Sequence, residues 1–212
     1  MERSTARAGP ATADRQLWLV RHGESTWNAT GMIQGHQDPG LSPLGRIQAA
    51  DCARRLTSRM SAARLYSSDL RRAVETAAVI GEALALDVRI EPMLRERSLG
   101  TAEGEPSALF GREDSGVSGG RVVDADAAPE GGESVRQLYE RAASCAARIL
   151  SAHAGDVVLV CHGGVVRVLI AWLDGVGPDE MIWPEIENGA AILRRVPADA
   201  PAPNSFCGPR VL

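Results

Sequence analysis

The sequence predicts an α/β fold, a three-layer α/β/α sandwich whose largely parallel central sheet carries helices on both faces. Three observations lead there. Short apolar runs of strand length alternate with longer stretches of helical periodicity. Two of the runs, "QLWLVR" (16–21) and "DVVLVCH" (156–162), are apolar at consecutive positions, as strands buried on both faces are. Each is closed by glycine, Gly23 in one case and Gly163-Gly164 in the other, where a strand gives way to the next element.

In chain order, the first run is a strand. "SPLGRIQAADCARRL" (42–56) is a helix with Ser42 as N-cap and Pro43 at its first position. "ARLYSS" (63–68) is a second strand, and "SSDLRRAVETAAVIGEAL" (67–84) contains a helix with Leu70, Ala73, Val74, Ala77 and Ile80 on one face. "DVRIE" (87–91) is a short strand. "SVRQLYERAASCAARIL" (134–150) opens with a capping box from Ser134 to Gln137 and carries Val135, Leu138, Tyr139, Ala142, Ala146 and Ile149 as an apolar stripe. "GGVVRVLIAWL" (163–173) is a helix leaving the strand at 156–162, and "AAILRR" (190–195) is a last strand.

Two stretches break this rhythm. Residues 105–133, rich in Gly, Asp and Ala with weak periodicity, read as a cap-like excursion from the sheet's edge. The tail over 197–212 reads as extended or disordered, and residues 1–15 as a flexible segment without the apolar stretch of a leader, which leaves one domain over 16–196.

Composition narrows the function. With 212 residues and 44% apolar residues, the chain suits one globular domain with a sizeable core. A net charge of -4 gives no general attraction to nucleic acid or anionic membrane, so any anion binding is local. No run approaches the roughly 20 apolar residues of a membrane span, and a cytoplasmic protein, monomer or homodimer, is expected. Cys52, Cys145, Cys161 and Cys207 are scattered without metal spacing and are expected to be reduced and structural; no metal or other cofactor is expected. All 23 basic residues are Arg, which removes lysine from any mechanism.

In an open parallel sheet, ligands gather beyond the carboxyl ends of the strands. Arg21-His22 and His162-Gly163 both fall at such ends, so two strands present two imidazoles to one crevice. Arg21 supplies a fork of donors for phosphate oxygens, and its charge keeps a neighbouring His22 neutral and nucleophilic. A neutral imidazole beside an anchored phosphate attacks phosphorus. Gly163 lets the backbone approach closely.

A bare "RHG" is a weak signal. In order, however, "RHGESTWN" (21–28), "SSDLRRAVETA" (67–77), "LRERSLG" (94–100), "GGES" (131–134) and "CHGG" (161–164) resemble the histidine phosphatase superfamily with its phosphoglycerate mutase-like fold, over about residues 16–196. The resemblance implies that His22 becomes phosphohistidine, that Arg21 and Arg72 hold the phosphate with Asn28, and that His162 donates to the transferring group. It implies that Glu96 protonates the leaving oxygen and then activates water; the bland alternative is a surface pair of Glu96 with Arg95 or Arg97. The "GMIQGHQD" stretch is similar to the phosphatase branch, which places Gln34 and Gly35 on the substrate side of the pocket; Gly163, next to His162, is a further substrate-binding candidate.

Mutases of this family carry an aromatic residue where this chain has Leu99, and a lysine soon after it. Both are missing here, so the expectation is a phosphomonoesterase acting on a small phosphorylated metabolite. The alternatives are a phosphoglycerate mutase or sugar bisphosphatase and, in a different class, a non-catalytic phosphate-binding regulatory protein. Ala102 stands where the phosphatases usually have Trp, which leaves the substrate's identity open.

Overall fold

The computed structural model describes residues 14–60, 63–109 and 115–197; all but the edges of the segments expected over 1–15 and 197–212, and Cys207 with them, lie outside the described residues. The predicted strands form as β1 (Arg15–Arg21), β2 (Ala63–Ser67), β3 (Val88–Ile90), β6 (Asp156–Cys161) and β7 (Ala191–Val196). They make one five-stranded sheet in the order β3-β2-β6-β1-β7. The first four strands run parallel, and β7 closes the edge antiparallel to β1.

Why the apolar runs are continuous is visible in where alternate residues go. Leu17 and Leu19 of β1, with Val157, Leu159 and Cys161 of β6, belong to one core. That core is shared with α4 (Val135–Ala152) and α5 (Gly163–Leu173). Trp18 and Val20, with Val158 and Val160, face the other way. They meet α2 (Pro43–Thr57) and α3 (Arg71–Leu84) through Cys52, Leu56, Ala73, Ala77 and Ile80. Strand side chains alternate between faces, so a strand covered on both sides has no position to spare for polar residues.

Helix starts follow local chemistry. Ser42 caps α2 by accepting from the Gly45 N–H, and Ser134 and Gln137 make the expected capping box on α4. Sequence periodicity gave no sign of the five-residue helix α1 (Thr26–Thr30), which is short enough to rest on its own capping box between Ser25 and Asn28. Gly23 and Gly45 lie back to back. A Cβ on Gly23 would stand 2.3 Å from the Gly45 carbonyl oxygen, so α2 approaches the end of β1 only because neither residue has a side chain.

The excursion is not structureless. It includes a small hairpin, β4 (Val117–Ser118) and β5 (Arg121–Val122), whose Val122 is buried. Arg97, 4% exposed, ties it down by donating to the backbone carbonyls of Ser115, Ala127 and Glu133. No helix among the described residues is long and apolar enough to cross a membrane.

Candidate active site

Because β1 and β6 are adjacent with Arg21 opposite Cys161, the residues that follow, His22 and His162, emerge side by side. Their rings sit edge to face, with centroids 5.1 Å apart. The end of β2 adds Ser68, and α3 adds Arg72 one position into the helix.

The hydrogen bonds of the His22 ring fix its tautomer. His22 Nδ1 lies 2.6 Å from the Gly23 carbonyl oxygen and therefore carries the proton it donates, leaving the lone pair on Nε2. That lone pair faces the Arg72 guanidinium, whose Nε donates to it at 3.2 Å. Ser68 Oγ accepts from the Leu70 N–H and sits 2.9 Å from His162 Nε2, a hydrogen bond that either group can donate. His162 Nδ1, buried beside His22, makes no hydrogen bond among the described residues.

Burial, then Arg72, then Arg21 hold the His22 pKa well below its ordinary value; burial and Arg72 do the same to His162. Both rings are thus neutral in the folded protein, whereas an unfolded chain protonates them near pH 6.5. The unfolded state takes up more protons below that point, so stability is full above about pH 6.5 and declines as pH falls. Thermal unfolding midpoints are expected to be level from pH 8 to about 6.5 and to drop between 6.5 and 5; a midpoint that stays level to pH 5 would contradict two buried neutral imidazoles.

The cations divide their work. Arg72, 1% exposed, spends its terminal nitrogens on the carbonyls of Gln37 (2.8 Å) and Gly35 (2.9 Å), which aims its Nε at His22. Burial pulls its guanidinium down to about 10, where it is still charged at neutral pH. Arg71 is exposed and pairs with Glu75 at 2.7 Å. Arg21 donates to the Ile186 carbonyl, and its buried Nε has no partner among the described residues.

Glu96 makes no ion pair with its neighbours, since Arg95 is taken by Asp69 and Arg97 by backbone carbonyls. Two backbone N–H groups hold its carboxylate instead, Gly164 on Oε2 at 3.0 Å and Arg97 on Oε1 at 2.9 Å. Gly163, expected to allow the close approach, does not line the cleft. As the first residue of α5 it faces Arg21 and Arg167, while the next residue, Gly164, is the one a Cβ would exclude, at 2.3 Å from Glu96 Oε1.

The remaining expected residues share the same cleft of about 350 Å³, lined by Arg21, His22, Asn28, Gln34, Gly35, Arg72 and Glu96 among others. Asn28 Oδ1 accepts from the Ser25 N–H at 3.1 Å, and Gln34 Oε1 accepts from the Ser25 hydroxyl at 2.7 Å, which leaves both side-chain NH₂ groups as donors for a ligand. Gly35, at φ 47°, leaves room for the Glu103 carboxylate. Among the described residues no group of three or more His, Cys, Asp or Glu is placed to hold a metal ion.

A model of the histidine phosphatase superfamily (branch 1) matches residues 17–202. The chain belongs to that superfamily. As a histidine phosphatase it resembles phosphoglycerate mutase-like protein 4 of Arabidopsis thaliana, with 42% identity over 73% of this chain and 69% of that protein. It resembles the metal-independent phosphoserine phosphatase of the same plant, with 38% identity over 73% of this chain and 66% of the relative. The solved structure of mycobacterial glucosyl-3-phosphoglycerate phosphatase in complex with VO3 superposes with a TM-score of 0.74 at 33% identity, covering 84% and 90% of the two chains. The protein is thus an enzyme of the histidine phosphatase type, a hydrolase.

Several residues of this histidine phosphatase site escaped the sequence reading. Arg167 and Trp183 line the cleft, and so do Ser115 and Val117 of the excursion. His36 accepts no catalytic part but fixes one: its Nε2 lies 2.8 Å from the Glu96 carbonyl oxygen. Of these His36 lies within the "GMIQGHQD" stretch, and Arg167 left a trace as the one charged residue in the otherwise apolar "GGVVRVLIAWL".

Proposed function

We propose that the protein is a phosphomonoesterase that hydrolyses a small phosphorylated metabolite in two phosphoryl transfers. The observation that carries this reading is His22, locked by Gly23 with its Nε2 lone pair toward a cleft that also holds Glu96. In the first transfer, Nε2 attacks phosphorus, the ester P–O bond breaks, and the Glu96 carboxyl delivers a proton to the departing oxygen. Arg72 Nε, which occupies the lone pair at rest, moves onto a phosphoryl oxygen as attack begins. In the second, the Glu96 carboxylate takes a proton from water, the water oxygen attacks phosphorus, and the P–N bond breaks to restore neutral His22. Arg21, Arg72 and His162 meet the charge on the equatorial oxygens throughout.

The relatives named as phosphatases support hydrolysis over isomerisation, and so does Leu99, which lines the cleft with no lysine anywhere in the chain to clamp a second phosphate. One experiment tests both points. Protein dialysed against EDTA is expected to release inorganic phosphate from 3-phosphoglycerate, with a bisphosphoglycerate primer present, at the same rate as undialysed protein and without accumulating 2-phosphoglycerate. Activity lost to EDTA and restored by magnesium or zinc would contradict charge neutralisation by arginine. Fast isomerisation with little free phosphate would favour the mutase.

A further inference from the structure

His36 stands in a turn that serves both ends of the cleft. The Gln37 N–H donates to the Gln34 carbonyl at 2.8 Å and closes the turn, and the carbonyls of Gly35 and Gln37, on either side of His36, are the two that receive Arg72. Gln34 and Gly35 line the cleft, and His36 does not. Its ring reaches out of the turn instead, to place Nε2 2.8 Å from the carbonyl oxygen of Glu96, 60 residues on. A carbonyl oxygen can only accept, so the His36 proton is on Nε2 and the bond has one direction.

The turn is itself anchored. Glu103 Oε1 accepts from the His36 N–H at 3.0 Å and from the Leu99 N–H at 2.9 Å, and so ties the turn to the segment that follows Glu96. The Glu96 carboxylate is held by the N–H groups of Arg97 and Gly164, but the carbonyl behind it is held by His36. The other donor to that carbonyl among the described residues is Arg141, at 3.3 Å, and the same nitrogen is bonded to Glu133 at 2.7 Å. Of the two grips on the Glu96 backbone, the short one is His36.

We propose that His36 is a positioning residue for the proton step: it locks the Glu96 backbone to the turn that braces Arg72, so that the proton donor and the phosphate-side cation are held in one frame. This rests on the reading of Glu96 as the general acid and adds the residue that sets its place. Placement matters, because a displacement of about 1 Å in a reacting group can cost on the order of 100-fold in rate. Without the His36 donor, the Glu96 carbonyl is left to the longer Arg141 bond and the carboxyl drifts from the leaving oxygen. Arg72 keeps its place, since its acceptors are main-chain carbonyls that any residue at position 36 leaves intact.

The test compares glycerol 3-phosphate with p-nitrophenyl phosphate in the phosphorylation step, by single-turnover kinetics. His36→Leu is expected to lose about tenfold more on the alkyl ester than on the phenyl ester. His36→Gln, whose side-chain NH₂ can donate to the same carbonyl, is expected to restore most of that difference. Competitive inhibition by inorganic phosphate is expected to stay within about twofold of wild type in both variants, because His36 acts through Glu96 and not on the ligand. Adding His36→Leu to Glu96→Gln is expected to bring no further leaving-group-dependent loss, as the two act on one step. Each comparison between esters is a ratio within one protein, so partial loss of folded enzyme cancels. Equal losses on the two esters in His36→Leu, a His36→Gln variant no better than His36→Leu, weakened inhibition by phosphate, or a further selective loss in the double variant would overturn the positioning role while the leaving-group dependence of Glu96→Gln still stood. Equal losses in Glu96→Gln would instead remove the general acid, and the positioning role with it.

Discussion

His22→Ala is expected to lower phosphate release by well over about 100-fold on every ester, because it removes the atom to which phosphorus is transferred and no neighbour can replace it. His162 is the nearest alternative. Its ring is fully buried, with Nε2 engaged by Ser68, and it is not among the residues that line the cleft. The variant should still fold, since the strand end is held by the His22 N–H to Cys161 and by Asn188 on the His22 carbonyl, both backbone contacts that alanine keeps. A rapid acid-free quench with labelled ester should trap a phosphoprotein in wild type and none in the variant. Retention of more than about a hundredth of wild-type turnover in a correctly folded variant would remove His22 as the nucleophile.

Glu96→Gln should produce a defect whose size depends on the leaving group. An alkyl alkoxide is a poor leaving group and needs its proton in the transition state, while p-nitrophenolate departs unaided. Single-turnover measurement of the phosphorylation step should therefore show a loss about 10- to 100-fold larger with an alkyl phosphate than with p-nitrophenyl phosphate. The substitution also sets an amide NH₂ against one of the two N–H groups that now hold the carboxylate, Gly164 or Arg97, but that disturbance is common to both esters and drops out of the comparison. Equal losses on the two would leave the proton donor unassigned.

The meeting of His22 and His162 was legible because it depends on where strands end. Two apolar runs closed by glycine place His22 and His162 at strand termini, and strand termini in a parallel sheet converge whatever the loops do. The order of "RHGESTWN", "LRRA", "ERSLG" and "CHGG" carries the family resemblance, which implies the roles expected of Arg72 and Glu96. The outer wall was not legible, because it is made of crossings that no local pattern encodes. Trp183 reaches the cleft only because its segment pairs with the hairpin turn at Gly120, and Val117 only because Arg97 draws the excursion inward. The bland reading of Glu96 failed for a similar reason: in sequence Arg95 and Arg97 flank it, but in space Asp69 and the excursion's carbonyls claim them. Gly163 and Gly164 are adjacent and chemically identical, and only the rotation of α5 decides which of them meets the carboxylate.

The position of β1 has a consequence for how the molecule comes into being. The first strand to be synthesised finds both of its neighbours at the far end of the chain: Leu17 pairs with Val157, 140 residues on, and with Arg194 of the final strand. At ordinary rates of translation its apolar side chains wait roughly 7–28 s without a partner. Contacts so distant along the chain also slow spontaneous collapse into the native arrangement. The nascent enzyme thus passes through a period in which Leu17, Trp18, Leu19 and Val20 are open to aggregation or to capture by a chaperone, and in which His22 has neither His162 beside it nor the Asn188 side chain and the Gly189 N–H on its carbonyl. A ribosome-bound chain stopped before β6 carries His22 without His162 and, on the proposed mechanism, is expected to be inert.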